Sequence, residues 1–244
     1  MKLRIGQSLF DAVIFDFNGV LLLDTPWHEA AWQKTFEAMS FKGWDSREMA
    51  WFVHGRTNRD IFSTVLNREL EPGELEQLTE LKESAYREIC LQQGADFKLS
   101  PGVPTLLSLL AENEIPFAIA TSSGEKNVRF YYQHLWLEKW FEWESIIFDD
   151  GTIRGKPAPD IYLKAAARLE TDPKKCVVLE DTISGLQAAK NAKIGMIIAV
   201  GDTWKPAREH GTDLCNAKLK QAGDLAGLMT LEDSAGGRMF YRDF

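Results

Sequence analysis

Four short apolar runs constrain what this chain can fold into. They are Ala12-Val13-Ile14-Phe15-Asp16-Phe17, Phe117-Ala118-Ile119-Ala120-Thr121, Cys176-Val177-Val178-Leu179-Glu180 and Met196-Ile197-Ile198-Ala199-Val200, each followed by polar or turn-forming residues. A strand with one wet face alternates apolar and polar side chains. A continuous run rich in β-branched residues suits a strand covered on both faces, as in a parallel sheet flanked by helices. Helical patterns lie between the runs, at Val103 to Asn113, Asp160 to Leu169 and Ile183 to Lys190. The alternation predicts an α/β fold with a doubly wound parallel-sheet core.

One stretch breaks the alternation. From Trp27 to Gln93 the apolar spacing is three or four throughout, as in Trp32, Phe36 and Met39, then Ile61, Phe62, Val65 and Leu66, then Leu75, Leu78, Leu81 and Tyr86. Breaks fall near Gly43, His54-Gly55 and Pro72-Gly73, and Ser100-Pro101-Gly102 marks the return to the core. Roughly seventy residues without a strand is long for a crossover. The expected organisation is therefore a core of residues 1–24 and 99–244 with an all-helical module, 25–98, inserted after the first strand. The tail Ser234 to Phe244 carries Gly, Arg and aromatic residues but no motif.

Composition narrows the partners. With 28 Lys and Arg against 36 Asp and Glu the net charge is −8, which argues against a nucleic-acid footprint or a polybasic membrane anchor. An anionic ligand must be met by local cations or a metal. Cys90, Cys176 and Cys215 have no paired spacing, so a zinc knuckle or redox pair is not expected. Residues 1–8 lack an apolar signal region, and no later stretch approaches the about 18 apolar residues of a membrane span. A cytoplasmic location is expected, and the oligomeric state is left open.

In open α/β sheets the ligand sits beyond the carboxyl ends of the strands. The residues there are Asp16, Thr121 and the pair Glu180-Asp181, joined by Lys156 in the loop Gly155-Lys156-Pro157-Ala158-Pro159-Asp160. A carboxylate, a hydroxyl, a lysine and an acidic pair converging on one edge describe a phosphoryl-transfer site. The carboxylate can attack phosphorus and split one displacement into two. Hard oxygen ligands can hold Mg²⁺, which offsets charge on the equatorial oxygens. The hydroxyl and the lysine supply further donors.

Asp16-Phe17-Asn18-Gly19-Val20, Thr121-Ser122-Ser123, Gly155-Lys156-Pro157-Ala158-Pro159-Asp160-Ile161-Tyr162 and Leu179-Glu180-Asp181-Thr182-Ile183-Ser184-Gly185 resemble, in order, the four motifs of the haloacid dehalogenase (HAD) superfamily. The inserted helices resemble the small cap of the subgroup that contains β-phosphoglucomutase and many sugar phosphatases. The resemblance implies a Rossmann-like core and a Mg²⁺-dependent reaction on a small phosphorylated substrate. It implies Asp16 as nucleophile and metal ligand, Asp181 as a second ligand, Glu180 as a further acidic partner through water, and the backbone carbonyl of Asn18 as a ligand. Thr121 would bond a phosphate oxygen, Lys156 would bridge phosphate and Asp16, and Ser122 and Ser123 would lie against the substrate. In the cap, Arg56, Thr57 and Asn58 sit on the loop that reads the leaving group, while His28 and Lys82 match a histidine and a lysine of the mutase site.

One position departs from the pattern. Phosphatases and mutases of this superfamily carry aspartate two residues after the nucleophile, where it protonates the leaving group and then activates water. Asn18 stands there, and an amide cannot transfer that proton. General acid–base catalysis contributes about 10²–10⁴-fold, so an impaired or altered phosphatase is expected. The rival readings are a phosphosugar mutase and a phosphate-ligand binding module in which catalysis has lapsed. The sequence leaves open whether Asn18 is an engineered replacement or natural with another group supplying the proton. A dehalogenase is disfavoured by the acidic pair, and a phosphonatase by the lack of a cap lysine motif.

Overall fold

The computed structural model describes residues 1–202, 213–232 and 238–239. Six parallel strands form the central sheet: β3 (Ala12–Phe15), β4 (Phe117–Gly124), β5 (Ile146–Asp149), β6 (Cys176–Glu180), β7 (Met196–Val200) and β8 (Ala217–Leu219), in the order β5-β4-β3-β6-β7-β8. The side-chain period of two divides the apolar runs between two cores. Val13, Phe15, Val177 and Leu179 face one layer, packed on Leu106, Leu107 and Val128 of α5 (Val103–Glu112) and α6 (Glu125–His134). Ala12, Ile14, Cys176 and Val178 face the other, packed on Ile161, Ala165 and Leu186 of α7 (Asp160–Arg168) and α8 (Ile183–Asn191).

The helical insertion comprises α1 (Thr25–Ala38), α2 (Ser46–Phe52), α3 (Asn58–Leu66) and α4 (Pro72–Gln92). Trp32, Phe36, Met49, Val53, Ile61, Phe62 and Leu70 give it a core of its own. The two chain segments that join it to the sheet are stitched together, because Ser100 donates its N–H to the Leu21 carbonyl and its hydroxyl to that of Val20.

A second, antiparallel sheet was not legible in the apolar runs. The hairpin of β1 (Lys2–Ile5) and β2 (Ser8–Phe10) pairs with β9 (Met229–Glu232), which pairs in turn with β10 (Arg238–Met239). These strands are short, and β1 alternates buried and open positions, so they lack the continuous run of a two-faced strand. The rest of the Ser234–Phe244 tail lies outside the described residues. Among the described residues no helix is long and apolar enough to cross a membrane.

Candidate active site

The chain leaves β3 outward through β4 and β5 and returns to the far side of β3 for β6. The winding therefore reverses at β3, and a crevice opens at its carboxyl end. Asp16 follows β3, Thr121 lies in β4, and Glu180 ends β6 with Asp181 next. The Lys156 ammonium, 1% exposed, donates to Asp16 Oδ1 at 2.6 Å and to Glu180 Oε2 at 2.7 Å. Tyr162, in the first turn of α7, donates its hydroxyl to that same Glu180 oxygen. Glu180 Oε1 accepts from the Asp181 and Thr182 N–H groups and from the Thr182 hydroxyl. With both oxygens engaged, Glu180 anchors Lys156, and any part it takes toward a metal is indirect.

Burial and the neighbouring Glu180 charge push the Asp16 carboxyl up to about 7, against the pull of Lys156. Burial opposes ionisation of Glu180, yet the Lys156 charge and the hydrogen bonds hold it below the usual carboxylate range. Burial disfavours the Lys156 ammonium, and the two carboxylates more than offset it, so its pKa is raised. Asp16, Glu180 and Asp181 each bring an oxygen within 4.8 Å of the others. Asp16 and Glu180 face the single ammonium of Lys156, and the surplus of carboxylates over that one cation in an all-oxygen donor set fits a hard divalent cation such as Mg²⁺. Gly19 makes room for it, with φ at +81° and a would-be Cβ only 2.1 Å from Asp181 Oδ2.

Position 18 is built around an amide. Asn18 Nδ2 donates to Asp24 Oδ2 at 2.7 Å and to the Tyr131 hydroxyl at 3.1 Å, and its Oδ1 accepts from the Ser123 hydroxyl at 2.9 Å. The Thr121 hydroxyl stands 3.4 Å from that Oδ1. Asp24, fully buried, also accepts from the Tyr86 hydroxyl and the Gly19 N–H, and burial raises its carboxyl to about 6. By position Asp24 is the N-cap of α1, yet its side chain makes no capping bond and turns to Asn18 instead.

On the cap side, Lys82 is 2% exposed and donates to His28 Nδ1 at 2.8 Å and to Glu83 Oε1 at 3.0 Å. Asn58 and Asn127 both donate to Glu83. Arg56 turns its Nε to the Trp51 carbonyl, and Thr57 caps α3. Ser122, expected against the substrate, gives its hydroxyl to the Gly55 carbonyl, and Ser184 gives its own to that of His54. These two bonds seat the cap loop on the core. Gly55, at φ +73°, sits so close that a Cβ would lie 2.3 Å from Thr182 Oγ1. Gly55→Ala is therefore expected to lift the loop and to cost about 1–3 kcal/mol, read as a lowered denaturant midpoint and faster amide exchange at residues 54–57.

A cavity of about 80 Å³ joins the two sides. Asp16, Asn18, Thr121, Ser122, Ser123 and Asp181 line its core wall. His28, His54, Arg56, Asn58 and Lys82 line its cap wall, whereas Lys156, Glu180 and Thr57 stand outside the lining. Sequence reasoning did not single out Asp24, Tyr131, Tyr162, Glu83 or Asn127 as site residues. The available signal was a polar group at an otherwise apolar helical position, for Glu83 and Asn127, and membership of the lysine motif, for Tyr162.

A family model for haloacid dehalogenase-like hydrolases matches residues 10–193. The chain belongs to that family of hydrolases. Among similar HAD proteins, a phosphorylated carbohydrates phosphatase from Thermotoga maritima is 32% identical over 190 residues, covering 78% of this chain and 85% of that protein. A β-phosphoglucomutase from Bacillus subtilis is 27% identical over 186 residues, covering 74% and 79%. The crystal structure of a HAD hydrolase of family IA, variant 3, from Entamoeba histolytica is 36% identical, with a TM-score of 0.75 over 88% of this chain and 94% of that one.

Proposed function

We propose that this HAD hydrolase is a Mg²⁺-dependent phosphatase of a small phosphomonoester, in class a sugar phosphate, acting through an aspartyl phosphate on Asp16. The observation that carries the reading is the Asp16 carboxylate clamped by Lys156 at the switch point and opening on the cavity beside Asp181. The named relatives, a carbohydrate-phosphate phosphatase and a phosphosugar mutase, support the substrate class. The division into core (1–24 and 99–244) and cap (25–98) is part of the proposal.

Asp16 attacks phosphorus, the P–O bond to the leaving group breaks, and water later frees the phosphate. Lys156 holds Asp16 in line and meets a phosphate oxygen. The Thr121 hydroxyl, with the N–H groups that follow Asp16 and Thr121, binds the other oxygens. Asp16, Asp181 and the carbonyl of Asn18 would hold Mg²⁺, which supplies charge neutralisation for the transferring phosphoryl group. Asp181→Ala is expected to weaken Mg²⁺ binding at least about tenfold, the scale on which even outer partners of metal sites act; unchanged affinity by calorimetry would place the ion elsewhere.

The contact between buried Lys82 and half-buried His28 in the cap wall favours a second reading, a phosphosugar mutase, in which the phosphoryl group returns to another hydroxyl. Incubation with a panel of sugar phosphates, with and without Mg²⁺, separates the two. Phosphate release supports the phosphatase, and isomeric sugar phosphate without release supports the mutase. Neither product, with no label on Asp16, would leave only a binding module.

A further inference from the structure

Resting on this reading, a gap remains: both half-reactions move a proton, and Asn18 cannot carry it. The cavity holds few alternatives. Asp16 and Asp181 are committed to phosphorus and metal, and the Arg56 guanidinium does not release a proton in proteins. Glu83 accepts from Asn58, Lys82 and Asn127. His28 has Lys82 on Nδ1, and its Nε2, which completes no directed hydrogen bond, is turned to the buried Asp24 carboxylate at 3.5 Å, so both its nitrogens face into the protein.

His54 differs. It lines the cavity with Asp16 and Asn18, is 9% exposed, and neither ring nitrogen completes a directed hydrogen bond among the described residues. Its Nε2 stands 3.0 Å from Glu29 Oε1 of α1, which leaves Nδ1, itself enclosed, as the nitrogen without a partner in a residue that lines the cavity. The backbone is fixed on both sides, since the His54 N–H donates to the Met49 carbonyl and its own carbonyl accepts from Ser184 on the core. A buried imidazole with a carboxylate at one nitrogen and no partner at the other has the layout of a positioned acid–base group.

We propose that His54, oriented by Glu29, is the proton carrier of this enzyme in place of a residue-18 carboxylate. In the first half-reaction the bond from Asp16 to phosphorus forms, the bond to the leaving oxygen breaks with its electron pair, and that oxygen takes the proton from Nδ1 of the imidazolium. In the second, water attacks phosphorus, its proton passes to Nδ1, and the electron pair of the broken acyl-phosphate bond returns to the Asp16 carboxylate. Phosphomonoester and water become alcohol and phosphate, and His54 ends as it began. Because Ser122 and Ser184 seat the His54 loop on the core, the carrier is in place only when the cap is closed.

The test follows the phosphoenzyme directly. Acetyl phosphate, whose leaving group needs no proton, is used with Mg²⁺ to load Asp16, and decay of the acyl phosphate is timed by mass spectrometry. His54→Gln should load like the parent and decay 10²–10⁴-fold more slowly, the share typical of acid–base catalysis. Adding Asn18→Asp to His54→Gln should recover part of that loss. Glu29→Gln alters a side chain 44% exposed, so the core is undisturbed; for a positioning residue the expected change is about tenfold to a hundredfold in kcat on a sugar phosphate, with KM unmoved. Decay in His54→Gln as fast as in the parent, or a Glu29→Gln effect confined to KM, would overturn the proposal and leave the phosphatase reading intact. Failure of the parent and every variant to load Asp16 would overturn both.

Discussion

Asp16→Asn should remove turnover by about 10⁴–10⁶-fold, the scale of loss when a covalent nucleophile is deleted, and should leave no acyl phosphate after exposure to substrate. The same change should stabilise the metal-free protein. Burial and the Glu180 charge push the Asp16 carboxyl from its ordinary 3.8 up to about 7, so between those values the folded chain holds a proton that the unfolded chain releases. Its favourable share is therefore complete in acid and is lost as the pH rises toward about 7. Asparagine carries no such dependence. Thermal unfolding in chelator should show the variant gaining on the parent as pH rises from about 4 to about 7 and holding the gain above it. Full activity in Asp16→Asn would refute the covalent mechanism, and a gain that is largest in acid would refute the electrostatic account.

Lys156→Met should be the most destabilising single change at this site. The methionine fills most of the lysine volume, but Asp16 and Glu180 are left buried with no cation between them. Breaking a buried pair in this way costs about 3–5 kcal/mol, and catalysis should fall with it because phosphate loses a cation. The contact of the ammonium with the Tyr162 ring, 5.0 Å to its centroid, is lost as well. Adding Glu180→Gln should recover a large part of the stability without restoring turnover, since the orphaned charge and not the lost contact is the main penalty. Denaturant midpoints of the single and double variants give the answer; strictly additive losses would show that the triad is not electrically coupled.

The four central strands and the helices Val103–Glu112, Asp160–Arg168 and Ile183–Asn191 were legible in the chain itself, whereas the helix Glu125–His134 was not singled out. Burial on both faces writes a continuous apolar run, and helical packing writes a three-to-four period, whatever lies elsewhere in the molecule. Short edge and hairpin strands such as Ser8–Phe10, Ile146–Asp149 and Ala217–Leu219 carry too few residues for either pattern to register. That Asp16 and Glu180-Asp181 sit at strand ends, with Lys156 in the proline-bearing loop before α7, is local information. Contacts between distant segments are not local. That Asp24 would desert its helix cap for the Asn18 amide, that Ser122 would give its hydroxyl to the cap loop, and that Glu29 would reach His54 across 25 positions were decided by tertiary packing. A buried carboxylate or hydroxyl must find a partner wherever the fold offers one, and only the assembled cap and core determine which partner is within reach.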